Sequence, residues 1–387
     1  MVTLLYSGYY DLDNSKQPFE VDPNFYYITS CDVPNLLLLT IHSKHYIYIE
    51  LPEIKLYDQD TFINTIHKCF NAKVLSQREF LQLLKSQKNI HSLPNIVDHP
   101  LWNKLKLNTM NLTTLSNKLL LQREIKLPTE ISCIKIACKL TSMGIQYIMK
   151  HCKPGIYQTE LTELFKYYLA TKGIDELSFN PITSHNKYNQ YLHYRAKPIK
   201  VMKGSLILVD LGCKYKNYCS DITRCFPISG KFTILQKNIY KVILNTLKYA
   251  LSLMKPGSKW SEITTKVQLK IYSQCLDINL VFPTNSNEEK ISFISKFMPH
   301  SLGHHVGLDI HDCGAINILK PNMIIAVEPG IYFQNIHNPL INYKVWNKYK
   351  QLGGVRLEDT ILITNKGHKN LSNITKEIHG IEKLMKN

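Results

Sequence analysis

Two apolar stretches far apart in the chain, GSLILVDLG (residues 204–212) and PNMIIAVEPG (321–330), each end on a carboxylate with a glycine close behind. Runs of this kind read as buried strands. A buried strand rarely carries an unpaired acid, because desolvating a carboxylate is costly unless a cation compensates. A second pair of segments repeats in step with the first. KPGIYQTELT, from Lys153, and KPGSKWSEIT, from Lys255, share a helix stop, a loop, a Thr or Ser placed to cap a new helix, then Glu, an aliphatic residue and Thr. Each follows a helix, and the second of these helices opens on the capping box Thr233 to Gln236. Two related halves, each with a strand delivering a carboxylate, predict a pseudo-symmetric α+β domain whose acids meet at its centre.

The acids can be named. Asp210 ends LILVD, and Asp221 opens DITRCF after the turn-like GCKYKNYC, a hairpin span that can bring both to one face. Glu328 lies in AVEPG, and Glu358 opens the strand-like EDTILIT. Across the repeat Asp210 is the counterpart of Glu328, and Asp221 of Glu358. Four carboxylates converging without a cation would repel one another strongly. A histidine from MPHSLGHHVGLDIHD (298–312), which holds four histidines and two aspartates, completes an oxygen-rich set. Such a set suits a pair of divalent ions, with manganese favoured and cobalt or zinc as alternatives. The expected chemistry is metal-assisted hydrolysis by an activated water.

The rest of the chain frames that domain. Its 387 residues are too many for one core of typical size, which predicts two domains. Residues 1–125 read as a smaller α/β domain: strand-like NFYYITS, NLLLLTI and HYIYIEL, then helical DTFINTIHKCF and REFLQLLKSQ. After Pro128 a long amphipathic helix opens the domain 126–387. Forty-seven basic against 30 acidic residues give a net charge of +17, which raises a nucleic-acid reading. Only five of the basic residues are arginines (Arg78, Arg123, Arg195, Arg224 and Arg356), and the lysines are scattered, so no nucleic-acid partner is expected. Ten cysteines form no CxxC pair, which fits a reducing compartment. With no apolar run of about 20 residues and no basic, apolar leader in MVTLLYSGYYDLDNSK, a cytoplasmic protein is expected, with no membrane partner.

LVDLGCKYKNYCSDITRCFP, MPHSLGHHVGLDIHD, VEPGIYF and GGVRLEDTILIT resemble the motifs of the pita-bread metallopeptidase family that includes prolidase, aminopeptidase P and methionine aminopeptidase. The resemblance runs from about residue 127 to the end. It extends faintly to QPFEVDPNFYYITSCDVPNLLLLTI, which is similar to the amino-terminal domain of the proline-specific members. It implies a pita-bread catalytic domain in which Asp210, Asp221, His304, Glu328 and Glu358 ligate two metals, with Asp221 and Glu358 bridging. By the same resemblance Glu328 is also the general base, His193, His300 and His311 line the substrate pocket, and Arg356 supports the ligands from behind. His305 on a strand points away from His304. Asp309 and Asp312 read as turn or hydrogen-bonding residues, and Cys213, Cys219 and Cys225 as core thiols.

The family resemblance implies hydrolysis of the bond before proline. Of its two exopeptidase activities, the motifs and the extra stretch QNIHNPLINYKVWNKYKQ favour the Xaa-Pro dipeptidase, prolidase. The alternative is the Xaa-Pro aminopeptidase, which acts on longer peptides. The short loop DCGAINILKPN points that way, since it lacks the arginine that the prolidase pattern uses to hold a dipeptide carboxylate. Lys320 or Lys344 could stand in as point charges. A peptide-binding module on the same fold is the non-enzyme alternative, and a homodimer is expected from the family.

Overall fold

The chain divides into two units, Met1–Gln122 and Arg123–Asn387. The computed structural model describes residues 2–8, 19–49, 66, 70–105 and 110–386. Among them no helix is long and apolar enough to cross a membrane.

The first unit is built on a six-stranded sheet. Its strands are β1 (Val2–Tyr6), β2 (Leu36–Ile41), β3 (Lys44–Ile49), β4 (Lys73–Val74), β5 (Ile90–Ser92) and β6 (Met110–Asn111), in the order β4-β3-β2-β1-β5-β6. β2 runs antiparallel to both β1 and β3, while β5 lies parallel to β1. The unbroken LLLL of β2 follows from burial on both faces. Leu36 and Leu38 pack with Phe25, Leu115 and Leu119 on one side, and Leu37 and Leu39 with Phe80 and Leu84 on the other. NFYYITS is not a strand but the body of a helix, Pro23–Thr29. Asp22 caps it by accepting from Phe25 N at 2.9 Å, and Pro23 stands in its first turn, a local signal that outweighs the β preference of Phe and Tyr. REFLQLLK of REFLQLLKSQ lies in the helix Gln77–Lys85, as its periodicity predicts. DTFINTIHKCF falls mostly outside the described residues.

The second unit is α+β and shows the repeat in three dimensions. The helices Pro128–His151 and Gln158–Ala170 precede a sheet of β7 (Ile182–His185), β8 (Leu206–Leu211) and β9 (Ile222–Pro227). The helices Ile234–Ser252 and Trp260–Asp277 likewise precede β10 (Gly303–His305), β11 (Ile324–Val327) and β14 (Asp359–Ile363), with β15 (His368–Asn370) at the edge. A short hairpin of β12 (Gly330–Tyr332) and β13 (Gly354–Arg356) follows β11. The two apolar stretches are thus β8 and β11, each an inner strand of its sheet, and both are almost wholly buried. The capping box forms as read: Gln236 N donates to Thr233 Oγ1 at 3.2 Å and Thr233 N to Gln236 Oε1 at 2.9 Å. The caps expected in the KPG repeats do not form. Those helices begin at Gln158 and Trp260, so Thr159 and Ser261 already lie inside the first turn. At the first, Glu160 Oε1 instead accepts from Tyr157 N at 3.2 Å.

Candidate metal centre

β-pairing brings the acids together. Asp210 stands opposite Thr223 in the β8–β9 ladder. Side chains alternate along a strand, so Asp221, two residues before Thr223, lies on the same face as Asp210. In the other half Val327 is opposite Asp359, which sets Glu328, just past β11, beside Glu358, just before β14. His304 on β10 is opposite Ala326 and shares its face with Glu328. Bonds to backbone carbonyls also join the halves here: Glu358 N donates to Thr223 O at 3.2 Å, and Thr360 Oγ1 donates to Asp221 O at 2.7 Å.

The donor atoms converge. Asp221, His304 and Glu358 offer ligand atoms within 4.8 Å of one another. His304 Nε2 is 3.4 Å from Asp221 Oδ2 and 3.8 Å from Glu328 Oε1. Its Nδ1 lies 3.0 Å from the carbonyl of His305, which can only accept. A proton on Nδ1 satisfies that carbonyl and leaves Nε2 as the ring atom facing the acids, the atom through which a histidine held in this way ligates a metal.

Electrostatics identify what is missing from the chain. Burial, then Glu358, Asp210 and Glu328, push the Asp221 carboxyl well above the usual range. Glu328 is pushed up to about 8 by burial and by Glu358 and Asp210, against the pull of His304 and Arg356. Glu358 is also pushed up to about 8, by burial and then by Asp210. Asp210 Oδ1 and Asp221 Oδ1 are buried without a hydrogen-bond partner. Four carboxylates with one arginine among them, two orphaned oxygens and an imidazole nitrogen fit hard divalent cations.

A hydrogen-bonded chain stands behind the acids. Arg356 Nη2 meets Asp210 Oδ2 at 2.8 Å, Nη1 donates to the Tyr332 hydroxyl at 2.8 Å, and Nε donates to Thr223 Oγ1 at 3.2 Å. Thr223 passes its own proton to Glu358 Oε2 at 2.8 Å. Tyr332 OH lies 3.0 Å from His300 Nε2, while His300 Nδ1 lies 2.8 Å from the Ser301 carbonyl. Burial, then Arg356, lowers the His300 pKa to about 4, so its ring is neutral near pH 7 and Nε2 accepts the tyrosine proton. Tyr332 and Thr223 were not singled out from the sequence. Thr223 could have been, since it shares parity with Asp221 on a strand; Tyr332 lies inside VEPGIYF but carries no charge to draw notice.

His311 and His193 complete the surroundings. The His311 ring stands edge-on to His304, with centroids 4.3 Å apart. Burial, then His304 and His193, lowers its pKa. His193 is exposed on the loop after β7 and acts electrostatically on both His300 and His311. His305 turns the other way and is fully buried. Cys219 and Cys225 are buried thiols pushed up to about 12 by desolvation. Lys320 is paired with Glu124 at 3.1 Å.

Two pseudo-symmetric halves that pool four carboxylates and a histidine around one centre define a metal-dependent hydrolase. The model of metallopeptidase family M24 matches residues 132–365, and the chain belongs to that family. The Xaa-Pro aminopeptidase of Escherichia coli (strain K12) is 33% identical over 269 residues, covering 68% of this chain and 59% of that protein. A probable Xaa-Pro aminopeptidase of Fusarium vanettenii is 27% identical over 422 residues, covering 97% and 89%. Among solved structures, E. coli aminopeptidase P in complex with substrate superposes with a TM-score of 0.86 at 25% identity, over 99% of this chain and 93% of that one. The pita-bread fold expected from the motifs is therefore present, and the relatives' names favour the aminopeptidase over the dipeptidase.

Proposed function

We propose that this chain is an Xaa-Pro aminopeptidase, a metallo-exopeptidase that hydrolyses the bond between the first residue of a peptide and a following proline. The observation that carries the reading is the clustering of Asp221, Glu328 and Glu358 around His304, with Asp210 acting on Asp221 and Glu358. These five residues would hold two divalent ions, manganese in the favoured case. When bound, the ions supply Lewis acidity for the scissile carbonyl and lower the pKa of water.

The chain's own groups divide the remaining work. A carboxylate oxygen of Glu328 takes the proton of the attacking water. His193, His300 and His311 surround the peptide, with neutral His300 held in one tautomer by Tyr332. Arg356 fixes Asp210 and, through Thr223, Glu358. An Xaa-Pro bond has no N–H for a protease to bind and a ring that fixes φ, so attack at the carbonyl suits it. The loop DCGAINILKPN supplies no arginine to clamp a dipeptide carboxylate, which favours longer peptides over dipeptides.

A cytoplasmic homodimer is part of the proposal. Purified protein with Mn(II) is expected to release the first residue from an Xaa-Pro tripeptide far faster than from Gly-Pro. Preference for the dipeptide would return the reading to prolidase, and absence of metal-dependent cleavage would refute both.

A further inference from the structure

Beside the candidate metal centre lies a group of buried charges that the proposed chemistry does not use. Asp312 directly follows His311, and its side chain is 1% exposed. Its Oδ2 takes Lys126 Nζ at 2.8 Å, and its Oδ1 takes Arg123 Nη2. The same guanidinium nitrogen reaches Asp309 Oδ2 at 2.7 Å. Burial by itself would raise the Asp312 pKa, but Lys126 and Arg123 hold it below the usual carboxylate value, so the acid stays ionised. Lys126 is anchored in turn, its backbone N–H donating to Asn322 O at 3.0 Å.

The backbone between His305 and Asp312 is drawn into a knot. Gly307 N donates to Asp309 O at 3.0 Å, Asp312 N to His305 O at 2.9 Å, and Cys219 N to Gly307 O at 2.7 Å. A Cβ on Gly307 would stand 2.2 Å from Asp312 Oδ2, so only glycine admits the carboxylate. The His311 side chain lies outside the knot, exposed and edge-on to His304. A functional histidine at a loop tip keeps its direction only if the backbone beneath it is fixed.

We propose that Asp312, clamped by Arg123 and Lys126, is a positioning residue that holds His311 at the site. The inference rests on the reading of His311 as substrate-facing. It concerns a group that touches neither metal ligand nor peptide and acts through its neighbour.

Asp312→Asn in the full, metal-loaded chain tests it in two ways. Hydrogen exchange of segment 306–313 is expected to quicken about tenfold, with β8 and β11 unchanged; unaltered loop exchange overturns the clamp. On an Xaa-Pro tripeptide the substitution is expected to lower kcat by about 10–100-fold, the scale of lost outer support. In a His311→Ala background its effect should shrink to less than about twofold. An equal penalty in both backgrounds overturns the route through His311. If Asp312→Asn does not fold, Lys126→Met, which keeps the apolar stem, carries the same expectations, and Lys126→Arg is expected to recover activity. If the wild-type chain cleaves no Xaa-Pro peptide, the proposed function fails and the loop exchange alone decides the clamp.

Discussion

Glu358 and Asp359, neighbours where β14 begins, are opposites in electrostatics. Both are buried, yet Glu358 is pushed up to about 8 while Asp359 is held below its ordinary value. The strand turns them to opposite faces. Asp359 meets Arg224 Nη2 at 2.6 Å, Asn370 Nδ2 at 2.7 Å and Lys376, all supplied by the chain. Glu358 meets Asp210 and Asp221. One face carries its own cations and is architecture; the other is short of positive charge, and that shortage marks the reactive centre. The Arg123–Asp312–Lys126 group belongs with the first kind.

Breaking each side should have different consequences. Asp221→Ala is expected to lower kcat/KM at least about 10³-fold, equivalent to about 4 kcal/mol, in a tripeptide assay, without unfolding the chain. Asp359→Asn leaves Arg224 buried and poorly paired, and is expected to cost about 3–5 kcal/mol in denaturant unfolding. Asp221→Asn should instead stabilise the metal-free protein, because it removes repulsion.

The same contrast sets a pH dependence for the metal-free chain. Glu328 and Glu358 keep protons up to about pH 8 when folded but release them near 4.5 when unfolded. The folded state therefore binds more protons between these values, and stability must fall as pH rises through them. Asp359 works in the other direction, losing its contribution only as pH falls into the acid range. A thermal midpoint lower by about 5 °C at pH 8.5 than at pH 5.5 is expected, and a saturating divalent ion should flatten the slope. Tyr332→Phe sharpens the comparison with a smaller effect. It removes the link between His300 and Arg356 while leaving every candidate ligand, and is expected to cost about tenfold in kcat, or about 1.4 kcal/mol.

Much of this was legible because strand periodicity and acid placement are local properties of sequence. LILVD and IIAVE read as buried strands ending in acids, and β-pairing then put Asp210 beside Asp221 and Glu328 beside Glu358. What escaped depends on partners far along the chain. The ED pair at 358–359 reads as two similar acids until Arg224, 135 residues away, takes one of them. Asp312 read as a turn or hydrogen-bonding residue, but its partner Lys126, 186 residues away, is invisible to local spacing. NFYYITS failed for a different reason: an Asp-Pro helix start outweighed the β preference of its aromatics. The dipeptidase reading leaned on motif likeness, and the names of the relatives count against it.

Titrating the metal-free protein with Mn(II) at pH 8 while following thermal unfolding tests the carboxylate centre most directly. The wild-type midpoint is expected to climb with ion concentration, saturating near two ions per chain, and Glu358→Gln is expected to blunt the rise while Asp359→Asn shifts the whole curve down without blunting it. A wild-type midpoint indifferent to divalent ions would contradict the assignment of Asp210, Asp221, His304, Glu328 and Glu358 as a metal centre.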